Sequence, residues 1–388
     1  MKENGNRISR RTFVRLGAGA GVASGMALTA AGEEGISKTA EMKSRALGKT
    51  DLKVSEVGFG TYGFSNSELL EKAIDQGINL VCTASVYQNG RAEEAIGQVM
   101  KKRRKDVVLM TGWMCDAKTT KKEMLDSLDA SLKRLQTDHV DIIKSHFVED
   151  PACLDNPALY EAFAEAKQAG KAGCLGLSCH GGQLEKVLDK ALSKNAFHVI
   201  QCKYNFMEYP AQMKLFEAAA KQGVGVVVFK VEAGKRQDEI DGLEKKGLTL
   251  RQAATRWALS NPNVASVCAG ITNFNQIDEL REGVAKKLSR ADLEVLEKYA
   301  QAVDRSYCRY CSTCESHCPY GVSVADIMRY SMYFKYYRME KEAMTLFAAL
   351  PSERRPASCA DCPGFCEKGC SHGRAVRAGL LEAGRWLA

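Results

Sequence analysis

The chain has 388 residues, 45% hydrophobic and 26% charged, a balance that excludes a disordered or collagen-like protein and leaves ample material for a core. Its 15 cysteines are too dilute for a small disulfide scaffold, which carries roughly 8–10%. Half of the net charge of +8 sits at the start, where Lys2, Arg7, Arg10, Arg11 and Arg15 oppose only Glu3 within residues 1–31; no basic run interleaved with aromatics follows, so no nucleic-acid partner is expected.

Arg10-Arg11-Thr12-Phe13 precedes a weakly apolar run that starts at Leu16 and ends in Thr29-Ala30-Ala31, the order of a signal peptide. The arginine pair followed by Phe13 resembles a twin-arginine signal. The resemblance implies the twin-arginine export machinery as a partner, a periplasmic location, and a protein that folds around a cofactor before export. The run is too short and glycine-rich for a good membrane span, although an uncleaved signal would leave an anchor. Residues 32–45 are charged, polar and small, and read as a linker.

Apolar, β-branched stretches follow near 54–60, 79–84, 107–112, 140–146, 173–178, 199–204, 224–230 and 264–270. Between them lie helix-period stretches at 67–77, 91–100, 121–135, 159–170, 183–195, 212–223, 250–260 and 275–285, and a further helix at 289–304. Gly77, Gly170, Asn195 and Gly223 supply helix ends. Eight βα units in about 230 residues predict an α/β fold, a (β/α)8 TIM barrel over 46–300, in preference to an open doubly wound sheet. Chemistry in a barrel sits at the C-terminal ends of the strands. Attention therefore falls on 82–87, 111–113, His146, 178–180, 201–205, Phe229 and Lys230.

Several of these strand ends carry one resemblance. Gly77-Ile78-Asn79-Leu80-Val81-Cys82-Thr83-Ala84-Ser85-Val86-Tyr87 is similar to the aldo/keto reductase signature around its catalytic aspartate and tyrosine. Val140-Asp141-Ile142-Ile143-Lys144-Ser145-His146 resembles the strand that ends in the family's catalytic histidine. Gly176-Leu177-Ser178, Gln201 with Tyr204-Asn205, and 264–270 fit in order. The resemblance implies hydride transfer between a nicotinamide and a carbonyl carbon, with Tyr87 as proton donor and His146 orienting the substrate oxygen. It implies Ser178, Gln201 and Phe229 as contacts to the nicotinamide of NADP(H). The family's aspartate position is Cys82 and its lysine position is Gly112, so the charges that lower a phenol's pKa are missing. Lys144 and Lys230 are the candidates to replace them. Cys179 stands where a carboxamide-binding asparagine is usual, Thr272 where a basic residue often meets a 2′-phosphate, and Leu280 near a usual asparagine. These departures thin the nicotinamide site. An alternative is a thiol-lined pocket of Cys82, Cys115 and Cys179 for a metal or a soft substrate.

Residues 301–388 form a smaller cysteine-rich domain. Cys308-x2-Cys311-x2-Cys314-x3-Cys318-Pro319 has the spacing of the bacterial ferredoxin run. Cys359-x2-Cys362-x3-Cys366-x3-Cys370 is a looser second run with no proline after it. By the swapped ferredoxin pattern, Cys308, Cys311, Cys314 and Cys370 would bind one [4Fe-4S] cluster, and Cys318, Cys359, Cys362 and Cys366 a second. Zinc, which favours two pairs per site, and a disulfide set are the alternatives, and one cluster in place of two is a variant. Val324 to Leu350 reads as one helix, with Tyr330, Tyr333, Phe334, Tyr337 and Met344 packing around the clusters and against the barrel.

The combined expectation is an exported iron–sulfur oxidoreductase with a ferredoxin-like extension. It would pass electrons between the clusters and a small-molecule substrate, or a redox partner protein, at the barrel mouth. The competing expectations are an NAD(P)H-dependent carbonyl reductase with Tyr87 as acid, and a non-catalytic barrel that docks a redox partner.

Overall fold

The computed structural model describes residues 41–388 apart from 182, 209, 235–241, 243, 246, 304 and 305. The expected signal over 1–31, and the linker up to residue 40, lie outside the described residues. The first two strands, β1 (Ser44–Ala46) and β2 (Lys53–Ser55), pair antiparallel as a small hairpin. It begins inside the segment expected to be linker. Then β3 (Val57–Gly60), β4 (Leu80–Cys82), β5 (Val108–Met114), β6 (Val140–His146), β7 (Ala172–Cys179), β8 (Val199–Lys203), β9 (Gly225–Phe229) and β10 (Ser266–Gly270) close into a parallel barrel, with β10 against β3.

Period-2 alternation puts Ile142, Lys144 and His146 on one face of β6 and stacks them up the barrel axis. The lower interior is apolar: Leu80, Val108, Met110, Ile142, Val199 and Val227 pack there with Leu47 and Val54, which the hairpin inserts from below. Each fully buried aliphatic side chain contributes roughly 1.5–3 kcal/mol. On β6 the alternation brings Lys144 and His146 in only above Ile142, which sets the depth at which their chemistry can occur.

The helices around the barrel form where the sequence caps them. Thr120 and Glu123 make a reciprocal capping box for Lys121–Leu135, and Thr249 with Gln252 does the same for Leu250–Leu259. Asn156 caps Pro157–Gln168, whose first residue is the proline that an N-terminal turn tolerates. The helix Arg91–Arg103 comes unusually close to the end of Lys121–Leu135: a Cβ on Gly97 would stand 2.2 Å from the Arg134 carbonyl oxygen. Gly97→Ala is therefore expected to destabilise by about 1–3 kcal/mol through overpacking. This outweighs the roughly 1 kcal/mol that alanine gains in an ordinary helix. A lowered urea midpoint with an unchanged m-value is the expected result.

The cysteine-rich part does not contain the single helix expected over 324–350. Helix Val324–Tyr336 stops, Arg338 adopts a left-handed φ of 52°, and Glu340–Ala348 folds back against it. The break lets Met339 reach the barrel, where its Cε lies 3.2 Å from the position a Cβ on Gly63 would take. Met344, expected to pack, is exposed, while Phe334 stacks on Trp386 of the last helix, Val376–Leu387, at 6.2 Å. Among the described residues no helix is long and apolar enough to cross a membrane.

Candidate functional site

The chain leaves β4 through a turn in which Gln88, Asn89 and Gly90 all have positive φ. This turn sets Tyr87 over the barrel mouth. Its ring meets the ring of His146 edge-on at 5.2 Å and that of Tyr62 at 5.1 Å. His146 ends β6, with Nδ1 3.1 Å from Ser178 Oγ. That oxygen already accepts the Phe147 amide at 3.0 Å, so its one proton is free to point at Nδ1. The ring proton of a neutral His146 then resides on Nε2. Burial, and then Lys144, holds His146 well below the ordinary imidazole pKa. Burial, with Cys268, Tyr333 and Cys82 adding, pushes Tyr87 well above the ordinary phenol value.

Lys144 lies one layer deeper, 1% exposed, and donates to Gln201 Oε1 at 2.8 Å. It faces Gly112 in the β5–β6 register, and a Cβ on Gly112 would be 2.9 Å from Lys144 Cγ. The space of a strand-end lysine on β5 is thus filled by a lysine from the neighbouring strand. Burial lowers the Lys144 pKa against the opposing pull of Cys82 and Cys268. These two thiols are neighbours across β3, where Cys82 stands in register with Gly60 and Cys268 with Gly58. Burial pushes Cys82 up, whereas Cys268, facing Cys82 and then Lys144, is pulled down.

The pocket of Cys82, Cys115 and Cys179 does not form. Cys82 faces Cys268, Cys115 faces Cys153, and Cys179 faces Cys202. Curvature separates the three strand ends, and each thiol finds a partner on a nearby element. All fifteen cysteines are free.

The residues expected to meet a nicotinamide are engaged within the protein. Ser178 is bound to His146 and Phe147, and Gln201 to Lys144. The Phe229 ring packs against His180 at 4.5 Å. Leu280, near the expected adenosine end, is fully buried in the core, and Thr272 Oγ1 and its amide turn to Gln276.

The mouth is roofed from the cysteine-rich part. Helix Val324–Tyr336 places Tyr333 5.3 Å from Tyr62, and the Arg329 guanidinium 4.7 Å from the Phe147 ring. Lys203, at the end of β8, pairs with Glu208 at 2.6 Å and donates to the Arg309 carbonyl at 2.9 Å. Tyr307 OH donates to Glu208 at 2.8 Å. The first cysteine run is thereby fastened to the barrel rim. Under the roof, Tyr62 OH, His180 Nδ1 and Lys230 Nζ are buried without a hydrogen-bond partner. Strand-end position flags His180 and Lys230 in the sequence. Arg329 and Tyr333 share one helix face four residues apart, but no local signal ties that face to the mouth.

The structure brings the eight cysteines of the two runs into two groups. Burial, then Cys308, Cys311, Glu315 and Cys370, pushes Cys314 up to about 12. Burial, then Cys318, Cys366 and Cys362, pushes Cys359 up to about 11. In each group the fourth cysteine of one run stands with the first three of the other. Cys308, Cys311, Cys314 and Cys370 line a cavity together with Tyr310 and His372. Donors point at the sulfurs: Thr313 Oγ1 to Cys311 at 3.2 Å, the Arg374 amide to Cys370 at 3.4 Å and the Gly364 amide to Cys362 at 3.4 Å. Among the described residues no three His, Cys, Asp or Glu side chains converge closely enough to hold a single metal ion.

The two neutral histidines give stability a pH dependence. Their folded pKa values lie well below the unfolded value of about 6.5, so the unfolded chain binds the protons first. Their contribution is complete above about pH 6.5 and is lost as pH falls below it, at up to about 1.4 kcal/mol per histidine per pH unit. Glu149, raised by burial, acts in the opposite sense at lower pH. Urea midpoints should fall between pH 7.5 and 5.5, and His146→Gln should flatten that fall.

Residues 56–241 match the aldo/keto reductase family. The chain is 26% identical over 318 residues to the uncharacterized oxidoreductase YqkF of Bacillus subtilis, covering 67% of this chain and 97% of that one. It is 26% identical over 303 residues to a probable voltage-gated potassium channel subunit beta of Arabidopsis thaliana, covering 63% and 91%. Among solved structures it is similar to the holo form of aldo-keto reductase AKR11C1 from Bacillus halodurans, with 26% identity, a TM-score of 0.56, and coverage of 68% and 97%. The family match ends before the cysteine runs begin.

Proposed function

From the match of residues 56–241 to the aldo/keto reductase family we propose that the chain is an oxidoreductase that exchanges single electrons between two [4Fe-4S] clusters and a small molecule at the barrel mouth. The observation that carries this reading is the pair of four-thiol groups, with the helix between the two runs forming the roof of the mouth. Cys308, Cys311, Cys314 and Cys370 would hold one cluster, and Cys318, Cys359, Cys362 and Cys366 the other. A single ion draws its ligands to one point about 2.3 Å from each sulfur, whereas a cube takes one thiolate at each iron corner, so spaced thiols fit the second case. When bound, the clusters supply or accept one electron each. The donors directed at the sulfurs are of the kind that tune such clusters.

The chain's own residues handle protons and position. Tyr87 keeps its proton at neutral pH, since no cation among the described residues offsets the rise in its pKa. His146, neutral and fixed by Ser178, offers Nε2–H as a second donor beside it. The roof excludes water, which strengthens both hydrogen bonds to a bound oxygen. A nicotinamide does not fit this arrangement, because Ser178, Gln201 and Phe229 are committed elsewhere, and we assign no hydride step. We further propose export through the twin-arginine route, with cluster assembly preceding it.

The test is anaerobic purification of the mature protein with iron, sulfide and nicotinamide assayed together. About eight irons per chain, a reducible paramagnetic signal and no bound NADP are expected. Iron-free protein, or saturable NADPH binding with carbonyl reduction, would overturn the reading.

A further inference from the structure

We infer that the barrel mouth binds the carboxylate of a small organic substrate between the Lys230 ammonium and the His180 imidazole. This deepens the reading above by naming the substrate class, and it rests on that reading only for the location of the site.

Lys230 follows Phe229 at the end of β9 and holds a left-handed φ of 58°, an uncommon state for a residue with a side chain. Its Nζ is buried and has no hydrogen-bond partner. Two ring faces lie beside it, their centroids 6.0 Å away for Phe229 and 5.6 Å for Tyr333. Three other cations near the mouth have partners: Lys203 pairs with Glu208, Arg329 with Asp326, and Lys144, a layer deeper, donates to Gln201. Glu149, the remaining acid, accepts the His180 amide at 3.0 Å and makes no hydrogen bond to Lys230. Burial, then Arg329 and Lys203, holds the Lys230 pKa well below the ordinary lysine value against the pull of Glu149 and Glu208. Its Nζ is thus a buried donor with no hydrogen-bond partner, whose charge an anion bound beside it would stabilise.

His180 adds a second donor. Its Nδ1 is buried and unpaired, and its ring packs at 4.5 Å on Phe229, next to Lys230. The tautomer with a proton on Nδ1 can donate to the same bound group. Two unpaired donors match the two oxygens of a carboxylate, and its single negative charge would hold Lys230 protonated. A phosphate would bring about two charges. The aromatic walls of Tyr62, Phe229 and Tyr333 suit a flat apolar body behind the carboxylate, with Tyr87 and His146 below it.

Binding is measured by calorimetry on the anaerobically purified full chain, after its iron content is recorded. The probes are benzoate, its neutral isostere benzamide, inorganic phosphate and NADPH. Benzoate is expected to bind at least about tenfold tighter than benzamide. Lys230→Met should remove that preference, and Lys230→Arg should retain most of it. Should Lys230→Met not fold, Lys230→Gln takes its place, since it keeps a donor without the charge. Equal binding of benzoate and benzamide, no benzoate binding to iron-replete protein, or an unaltered preference in the uncharged variant would overturn the inference. So would displacement of benzoate by phosphate or NADPH, which would assign the lysine to a phosphate group. Benzoate selectivity in protein that lacks iron would leave this inference standing and remove the electron-transfer reading.

Discussion

Serine in place of Cys370 is expected to remove about four of about eight irons, and to remove them from the group containing Cys308, Cys311 and Cys314. The loss crosses the chain: the substitution lies in the second run and the damage falls on the first. The reason is the placement of Cys370 beside the first-run thiols, while Cys318 stands with Cys359, Cys362 and Cys366. Paired substitutions decide the assignment. Cys311→Ser with Cys370→Ser should cost no more iron than either alone, because both strike one group. Cys311→Ser with Cys318→Ser should leave almost none. If each run held its own cluster, these two results would exchange places. Cluster loss should also loosen the roof. Metal binding at such sites is part of the folding free energy. The segment beside Cys308 is anchored to the barrel through Lys203 with Arg309 and Tyr307 with Glu208, and Tyr310, two residues on from Cys308, donates to Met332 of helix Val324–Tyr336. Iron and sulfide per chain, with proteolysis at the barrel mouth as the structural readout, check both halves.

The barrel is legible in the sequence because each of its units is locally specified. The helix expected over 121–135 is Lys121–Leu135, set by the Thr120–Glu123 box at one end and by Gln136 in the left-handed region at the other. The plugging hairpin is not legible. Its strands are three residues long, carry Lys53 and Arg45, and gain their apolar role only when Leu47 and Val54 meet the closed barrel. The same division holds at the site. Tyr87, His146 and the missing aspartate and lysine can be read from strand ends. Arg329 and Tyr333 come from a helix that lies far along the chain, and the pairing of Cys82 with Cys268 exists only because β10 closes against β3. Such contacts depend on long-range closure, which leaves no periodic trace in the sequence. The break at Arg338 belongs with them, since it is the seat of Met339 on the barrel that selects two helices over one.

Gly112→Lys, which would write the family's missing lysine back into β5, is expected to destabilise the protein by about 4 kcal/mol rather than to restore anything. Two costs add. A Cβ at position 112 would meet Lys144 Cγ at 2.9 Å and the Lys144 carbonyl oxygen at 3.0 Å, and overpacking of this kind costs about 1–3 kcal/mol. The new ammonium would also enter a dry interior that already holds one cation, and an uncompensated buried charge costs several kcal/mol. Lys144→Gly alone should cost about 1–3 kcal/mol, because Gln201 loses its donor and Cys268 its neighbouring cation. Gly112→Lys combined with Lys144→Gly returns the volume and the charge count to their starting values. The cation merely moves one strand across the register that pairs positions 112 and 144. The double variant should therefore recover at least about 2 kcal/mol relative to the sum of the two single changes. Denaturant midpoints of the three variants close the cycle. Additive costs would mean that Lys144 does not occupy the place of the β5 lysine. Strong recovery would mean that the barrel has kept its buried cation, moved it to the next strand, and set it against the thiols of Cys82 and Cys268 in place of a carboxylate.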